Sequence, residues 1–462
     1  MIRLVLLLLG ADFIRRYWHV LASVGVIWGV IGISLFIDAL DGVLVFPLTL
    51  FGYLLLLESL ATLFLASSGV GAQKTLRYVK GGLFLLISLL IISSHSTSNM
   101  LLAMLFGAAF AIGGCLQLAS AMVVRFPNWR LAVAGGVGQI GIAIFFIQPY
   151  PTHYRGTIPY CLGIGLLFSG WSMVWLATRS RRLPPHASIS ELSFRNASSD
   201  RPLDAGLYPT ADGSAMVPAA SGGEVRMRDP GATLTVHVWT PSGSARSATL
   251  NRPVVDRYIA AVDANGVIST GHAALEVSRD IYISLYPAQE IDRSPHAFAR
   301  TLRATADNNV RGRYLTDYPS EAKSWCESTE KIVFRDYDLP RLHRFWQHYR
   351  REEIYNLTHR NCSSTVTYAL EAALEGVVGA RAGGHWWSFI KILLTPEVWV
   401  ASQIHKRATT MAWTPGLTLD YARALRAIVH PRPLSWIASL QLALRHSRRL
   451  RLAERRRRGD HT

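Results

Sequence analysis

The sequence predicts an α-helical membrane bundle with six transmembrane helices, followed by a soluble α+β domain. Nearly all the long apolar runs of the 462-residue chain fall between about Trp18 and Ala177. The remainder has the charge density of a soluble protein with a basic excess, in a chain with 48 Lys and Arg against 31 Asp and Glu. This division excludes a plain cytosolic enzyme and a disordered chain. The four cysteines provide no disulfide framework.

The first ten residues, MIRLVLLLLG, are basic and then apolar, like the start of a signal peptide. The apolar run ends at Gly10, and Asp12, Arg15 and Arg16 follow without a small-residue cleavage site. We therefore expect an interfacial helix or a tail and not a removed leader.

Hydropathy predicts six membrane-spanning segments. Their expected limits are Tyr17–Ile37, Val43–Ala66, Val79–Ser93, Leu101–Val124, Leu131–Ile147 and Ile158–Thr178. Most reach the roughly 20 residues that a bilayer requires, whereas the third and fifth are short and should lie tight against their neighbours.

An internal repeat of about 55 residues runs through these segments, which predicts three copies of a two-helix hairpin. In each copy the second helix carries a leading Gly and a small residue seven places later. The aligned pairs are Gly52 and Ser59, Gly107 and Gly114, and Gly163 and Gly170. Small residues let helix backbones approach closely in a bilayer, so we expect a compact bundle.

Glu58 departs from this repeat, since the aligned residues are Gly113 and Ser169. An ionisable group in a membrane helix is costly unless it is paired or hydrated. Two interpretations are open: a proton- or ligand-sensing site, or a carboxyl group that is neutral or hydrogen-bonded inside the bundle.

The glycine-rich hairpins, with WGVIGISLFIDALDGVLVFP followed by GYLLLLES, resemble the HdeD-like family of acid-resistance membrane proteins. The resemblance covers residues 1–179 and rests on the repeat pattern. It implies a role in stress response or envelope protection.

The basic residues of the short loops predict the orientation of the bundle. They are concentrated in the N-terminal flank, the second and fourth loops and the segment after the sixth helix: Arg15, Arg16, Lys74, Arg77, Lys80, Arg125, Arg130, Arg179, Arg181 and Arg182. Because such residues stay on the cytoplasmic side, we expect both termini to be cytoplasmic, at a bacterial inner membrane.

Residues 180–231 are dense in Ser, Pro, Gly, Asp and Ala without a sustained period, which predicts a flexible linker. Strand-like and helix-like stretches then alternate over residues 232–384, which predicts the α+β domain. Within it, NCSSTVTYALEAALEG predicts a helix that is capped by Asn361 and ends at Gly376. Cys362 falls in its first turn.

A thiol in the first turn of a helix lies at the positive end of the helix dipole. The dipole and the unpaired backbone N–H groups favour thiolate and can hold an oxyanion. The expected base is His272, which begins a strand after Ser-Thr-Gly. Cys362 and His272 would then form a nucleophile–base pair.

These residues resemble the circularly permuted branch of the papain-like superfamily, which includes NlpC-type and lecithin:retinol acyltransferase-type enzymes. In that branch the His begins a strand, a polar residue lies on the next strand, and the Cys comes last at a helix start, often after Asn. GHAALEV supplies His272, YISLYP supplies Ser284 and NCSS supplies Cys362. The resemblance implies acyl transfer or amide hydrolysis, with Ser284 orienting the imidazole in place of the usual His, Asn or Gln.

Two alternatives are open for this site. A Cys near a helix start is frequently a core residue, and His359, three places before Cys362, is a rival base. The sequence has no phosphate-binding loop, paired catalytic carboxylates or metal-ligand spacing, so we expect no cofactor and no metal.

Residues 385–462 contain an aromatic stretch, HWWSFIKILLTPEVWVASQIHKR, and an arginine-rich tail. Tryptophan combined with Lys and Arg predicts helices in the membrane interface, and the tail predicts binding to anionic lipids of the inner leaflet. Nucleic acid is the less favoured partner for these arginines, because no base-reading motif accompanies them.

These features together predict a membrane-anchored cysteine hydrolase or acyltransferase on the cytoplasmic face, with a protein, peptide or lipid-ester substrate. The alternative is a non-enzymatic, HdeD-like stress-response membrane protein whose soluble domain binds lipid or a protein partner.

Overall fold

The computed structural model describes most of the two predicted regions. The described residues are 1–40, 48–66, 72–93, 96–126, 129–150, 154, 156–181, 232–240, 258, 261–262, 268–277, 281–289, 291, 300–381, 383 and 385–431. The predicted linker beyond residue 181 and the arginine-rich tail beyond residue 431 lie outside them.

Six long, mostly apolar helices follow a short N-terminal helix α1 (Ile2–Leu9). They are α2 (Ala11–Asp38), α3 (Leu48–Ala66), α4 (Ala72–Ser93), α5 (Ser96–Val124), α6 (Trp129–Ile147) and α7 (Thr157–Arg181). Within the described residues, five of the six are long and apolar enough to cross a membrane, whereas the apolar stretch of α3, Thr49–Phe64, is shorter.

The helices pair as α2 with α7, α3 with α4, and α5 with α6. This pairing differs from a bundle of self-packed hairpins, because the second helix of each predicted hairpin packs against the first helix of the next one. The third hairpin closes the series, since its second helix, α7, packs against α2. The repeat in sequence therefore corresponds to a repeat of contacts between hairpins.

The small residues of the repeat explain this pairing. A Cβ on Gly163 would lie 2.7 Å from the carbonyl oxygen of Gly32, and a Cβ on Gly114 would lie 2.8 Å from that of Gly136. Ser59, at the equivalent place on α3, is fully buried. Residues seven apart share one helix face, so each second helix presents a flat stripe that lets its neighbour approach closely.

The soluble part is an α+β domain built on antiparallel sheets. Its strands are β1 (Leu234–Trp239), β2 (Ala261–Val262), β3 (Ile268–Ser269), β4 (His272–Val277), β5 (Ile281–Ile283), β6 (Leu285–Pro287), β7 (Val310–Tyr314), β8 (Glu330–Phe334) and β9 (Ile354–Tyr355). The main sheet has the order β5-β4-β1-β8, β6-β7-β9 form a second sheet, and β2 pairs with β3.

Seven helices accompany these strands. They are α8 (Tyr318–Ser324), α9 (Leu339–Tyr349), α10 (Cys362–Leu374), α11 (Val377–Arg381), α12 (Trp386–Leu393), α13 (Pro396–Thr410) and α14 (Pro415–Val429). Every residue of α10 is buried, because β4, α9, α14 and α1 all pack against it. Helix α10 is therefore the centre of the soluble core.

The N-terminal helix α1 lies inside this core, not at the membrane interface as an interfacial helix or tail would. Residues 4–9 are all buried, and the N–H of Gly376 donates a hydrogen bond of 2.9 Å to the carbonyl oxygen of Leu7. Gly379 packs directly against the carbonyl of Leu9. A helix that is apolar on every side is stable only when it is buried, which is the physical reason for this position.

The helices after residue 384 connect the soluble core to the bundle. Helix α14 packs on α10, β1 and β8, while α13 packs on α14 and also on α4 and α5 of the bundle. At the latter contact Arg77 pairs with Glu397, and the ammonium group of Lys80 lies over the ring of Trp399. Helix α13 therefore touches both parts of the protein.

We predict that Gly170→Ala destabilises the bundle, whereas Gly165→Ala on the same helix does not. A Cβ at Gly170 would collide with the backbone of α2 at Gly25 and Gly29, and a Cβ at Gly165 would meet no atom within 4 Å. We expect a loss of about 1–3 kcal/mol for the first change and a gain of up to about 1 kcal/mol for the second, through helix propensity.

Thermal unfolding of both variants in one detergent measures the difference. Equal midpoints would contradict the close α2–α7 contact.

Candidate active site

His272 is the first residue of β4, and its side chain is buried, with 3% exposed. The preceding Gly271 has a φ of 70°, a left-handed conformation that glycine adopts without a steric cost. The Gly-His step in the sequence therefore fixes how the chain enters the strand.

Ser284 lies between β5 and β6, whereas the sequence predicted a position on a single strand after β4. Its Oγ is 2.8 Å from Nε2 of His272, and it is fully buried. The structure thus brings together two of the three predicted site residues.

Glu321 on α8 is a further contact of His272 that the sequence analysis did not identify. Its Oε1 lies 3.2 Å from Nε2 of His272, and its side chain is 1% exposed. The hydroxyl of Tyr286 donates to Oε1 at 2.8 Å, and that of Tyr282 donates to Oε2. A buried carboxylate is therefore surrounded by groups that can donate to it.

A sequence signal existed for the two tyrosines but not for the carboxylate. Tyr282, Ser284 and Tyr286 alternate along DIYISLYP, so period-2 geometry places them on one face. Asp317 caps α8 by accepting from the N–H of Ser320 at 2.7 Å, which is a recognisable helix start. Nothing local indicates that Glu321 in this helix meets a histidine on a distant strand.

Burial lowers the pKa of His272 to about 3, so the imidazole is neutral at physiological pH. Nε2 is the ring nitrogen that lies beside both Glu321 and Ser284. Burial also raises the pKa of Tyr286, and the charges of Glu321 and Cys362 add to this shift, so its hydroxyl stays a donor.

Cys362 begins helix α10, where the NCSS pattern predicted it. The side chain of Asn361 accepts from the N–H of Ser364 at 2.8 Å, and the Ser364 hydroxyl reciprocates in a capping box. The Asn361 amide also donates to the carbonyl oxygens of Leu357 and Trp413. These bonds fix the start of the helix, and the thiol is buried with 7% exposed.

Cys362 and His272 approach the site from different directions. Helix α10 packs against the face of β4 that carries Ala273 and Leu275, whereas the imidazole lies on the other face, towards Glu321 of α8. Tyr286 interacts with both residues. Its ring stacks on the imidazole with centroids 4.1 Å apart, and Cys362 contributes to raising the pKa of its hydroxyl. The described contacts of the His272 ring nitrogens are a hydrogen bond to Ser284 and a close approach to Glu321, both at Nε2.

His359, the rival base, lies in the turn that leads into α10. Burial lowers its pKa to about 4, with a further contribution from Arg360, so it is also neutral at physiological pH. Its backbone N–H donates to the Asn356 side chain at 3.4 Å.

A second buried histidine on the same sheet provides an internal comparison. His237 on β1 has Nε2 2.9 Å from Oε2 of Glu276 and Nδ1 3.1 Å from Oγ of Ser328. Both ring nitrogens of His237 are therefore occupied, whereas both described contacts of His272 are at Nε2.

Comparison of the chain with protein-family models, curated proteins and solved structures found no match. Over the described ranges, no group of three or more His, Cys, Asp or Glu side chains is placed to hold a metal ion.

We predict that His272 makes the protein less stable in mild acid. Its pKa is about 3 in the folded chain against 6.5 for the free side chain, so only the unfolded chain takes up this proton between those values. Stability should therefore fall as the pH drops below 6.5, by roughly 2 kcal/mol at pH 5 from this group alone.

Thermal unfolding between pH 7 and pH 5 measures this loss. His272→Gln should reduce the dependence on pH, and His348→Gln, on the exposed face of α9, should leave it unchanged. An identical dependence in His272→Gln and in the unaltered protein would contradict the assignment.

Proposed function

We propose that the soluble domain is a papain-like cysteine hydrolase or acyltransferase that the membrane bundle anchors. The observation that carries this proposal is the arrangement of His272, held at Nε2 by Ser284 at 2.8 Å, at the start of the strand on which the Cys362 helix packs. The order His, polar residue, Cys and the capped helix start match the permuted papain-like pattern.

The proposed chemistry begins when Nδ1 of His272 takes the proton of the Cys362 thiol. The thiolate attacks a carbonyl carbon, and the backbone N–H of Cys362 in the first helical turn contributes to the oxyanion site. The imidazolium then returns the proton to the leaving group, which leaves an acyl-thioester. Water or a second substrate releases the acyl group.

The substrate class follows from this chemistry and from the anchor. Peptide amides, protein side-chain amides and lipid esters each present a suitable carbonyl, and the anchor holds the domain close to membrane proteins and lipids. The reaction as written uses no cofactor or metal.

The second candidate function is a non-enzymatic, HdeD-like stress-response protein whose soluble domain binds lipid or a protein partner. The orientation of His272 favours it, because the imidazole faces Glu321 on the side of β4 opposite the apolar contacts of α10. In that case the buried polar cluster would only stabilise the domain.

We predict that Cys362→Ala and His272→Ala each abolish turnover and that the double variant is no worse, because the two residues act as one unit. Ser284→Ala should cost on the order of tenfold, or about 1.4 kcal/mol, because a hydroxyl is a weak orienting group. A Cys-reactive probe on membranes containing the full chain measures the reaction of Cys362, with Cys326→Ala, an exposed cysteine, as the control.

The outcomes distinguish the candidates. Labelling of Cys362 well below the usual thiol pKa of about 8.5 supports the enzyme. Full activity in His272→Ala combined with loss of activity in His359→Ala would show that His359, and not His272, is the base. An unreactive Cys362, together with a stress phenotype that persists in Cys362→Ala and in His272→Ala, would support the non-enzymatic binding function instead.

We also propose six membrane crossings, with both termini on the soluble-domain side. Helix α1 is buried in the soluble core, so the chain leaves that side after Gly10 and must return to it before β1, which requires an even number of crossings. Helix α3 runs antiparallel to α4, since Gly52 meets Ile91 while Leu63 meets Gly81. It therefore covers the same depth as α4 and supplies the sixth crossing.

This topology places Glu58 near the soluble-domain side of the bundle. Its Oε1 is 2.8 Å from Nζ of Lys80, and Lys80 also contacts Trp399 of α13. A paired carboxylate at this level favours the structural interpretation of Glu58 over a proton-sensing one.

The loop charges support a cytoplasmic location for this side, at a bacterial inner membrane. Trp387 on α12 and Leu394, the residue that follows this helix, are each 76% exposed, although Trp386 stacks on Phe13 at the start of α2. An apolar surface beside the start of a membrane helix supports contact with lipid. The positive charge of the chain suits anionic lipid, and the sequence carries no base-reading motif that would favour nucleic acid.

We predict that a reporter enzyme that is active only after export gives the same result when it is fused at residue 1 and at residue 462. It should be inactive at both positions. A reporter within residues 39–47, between α2 and α3, should be active and serves as the control. Opposite signals at the two termini would contradict the even number of crossings, and active reporters at both would reverse the orientation.

A further inference from the structure

We propose that Glu321 is the positioning residue of the site, fixing the tautomer of His272 and balancing its charge during proton transfer. This inference rests on the proposed cysteine chemistry and names a residue outside its His, Ser and Cys pattern.

The geometry around Glu321 defines its role. Its Oε1 is 3.2 Å from Nε2 of His272, and the Tyr286 hydroxyl donates to the same oxygen at 2.8 Å. Tyr282 donates to the other oxygen. Two phenols thus donate to the two oxygens of this buried carboxyl group, which lies beside Nε2 of the imidazole.

Ser284 alone does not perform this function. Its hydroxyl can accept a hydrogen bond from Nε2–H or donate one to a bare nitrogen, so it is compatible with either tautomer. A carboxylate accepts only, so Glu321 selects Nε2–H and leaves the lone pair on Nδ1. Ser284 then supports the ring position that Glu321 has specified.

Two aromatic rings restrict the imidazole further. Tyr286 stacks on it at 4.1 Å, and Trp239 lies at 5.4 Å with its ring tilted by 47°. Tyr286 thus both packs against the imidazole and donates to Glu321. The orientation of the imidazole is therefore set by contacts at its face and at Nε2. In the proposed reaction Nδ1 is the nitrogen that takes the thiol proton.

The charge of Glu321 matters because the imidazole is buried. Burial lowers the pKa of His272 to about 3, so the imidazole is neutral at rest, and a proton transferred to it would create a charge in a buried place. When the thiol proton moves to Nδ1, the S–H bond breaks, the N–H bond forms, and the ring becomes positive. Glu321 stabilises that cation without taking the proton, which later passes to the leaving group.

The test measures the pH dependence of Cys362 alkylation by iodoacetamide in the full chain, with Cys115, Cys161 and Cys326 replaced by Ala. Glu321→Gln keeps the size of the side chain and removes its charge. We expect the alkylation midpoint to rise by at least one pH unit, which is a tenfold loss of thiolate at pH 7. A purely structural role would lower the unfolding temperature without moving this midpoint.

Glu276→Gln is the matched control, because Glu276 contacts Nε2 of His237 at 2.9 Å on the same sheet. It should leave the midpoint unchanged. An unchanged midpoint in Glu321→Gln, together with a shift in His272→Ala, would overturn the role of Glu321 and leave the proposed function standing. No shift in either variant, with Cys362 reacting as an ordinary thiol, would overturn the proposed function itself.

A measurement on the unaltered site keeps the inference testable if Glu321→Gln does not fold. Solid-state NMR of ¹⁵N-histidine-labelled protein at pH 7, with His272→Gln to assign the signals, reports the tautomer. We expect Nε2 of His272 to be protonated and Nδ1 to be unprotonated. The opposite assignment would overturn the inference.

Discussion

The buried carboxylate of Glu321 is the constraint on which the site depends. A buried polar group without partners is costly, so the donors to this carboxyl group must be in place whenever the domain is folded. The donors are Tyr282 of β5 and Tyr286 of β6, the carboxyl group comes from α8, and His272 of β4 lies beside it. Satisfying this one group therefore fixes these elements relative to each other and holds His272 at the start of its strand.

A comparable constraint joins the soluble core to the membrane bundle through α13. One side of this helix reaches the bundle through the buried pair of Glu397 with Arg77. Its other side reaches α10, where His405 lies 3.2 Å from Glu371, a carboxylate that also accepts from Tyr421 at 2.7 Å. Because α10 begins at Cys362, the helix that carries the thiol is connected to the membrane helices through a single intervening helix.

Local patterns in the sequence were sufficient for the features that depend on neighbouring residues. The Asn361 cap and the approximate positions of the membrane helices follow from short-range signals. Glu321, the burial of α1 and the α2–α7 pairing depend on contacts between distant segments, for which one sequence carries no direct signal. Apolarity on every side of MIRLVLLLLG was compatible with lipid or with a protein core, and only the packing against α10 and α11 decides between them.

Two histidines of the main sheet each lie beside a glutamate, and the two pairs differ in how the ring nitrogens are held. His237 is held at Nε2 by Glu276 and at Nδ1 by Ser328, so accepting a proton would require one of those bonds to be exchanged. His272 meets Glu321 and Ser284 at the same nitrogen, which concentrates the restraint at one edge of the ring. A ring restrained at Nε2 keeps its orientation while Nδ1 gains or loses a proton, and a neighbouring carboxylate offsets the resulting charge. The sheet thus presents two histidines that each meet a glutamate, and under the proposed function the position of the serine distinguishes the structural histidine from the candidate base.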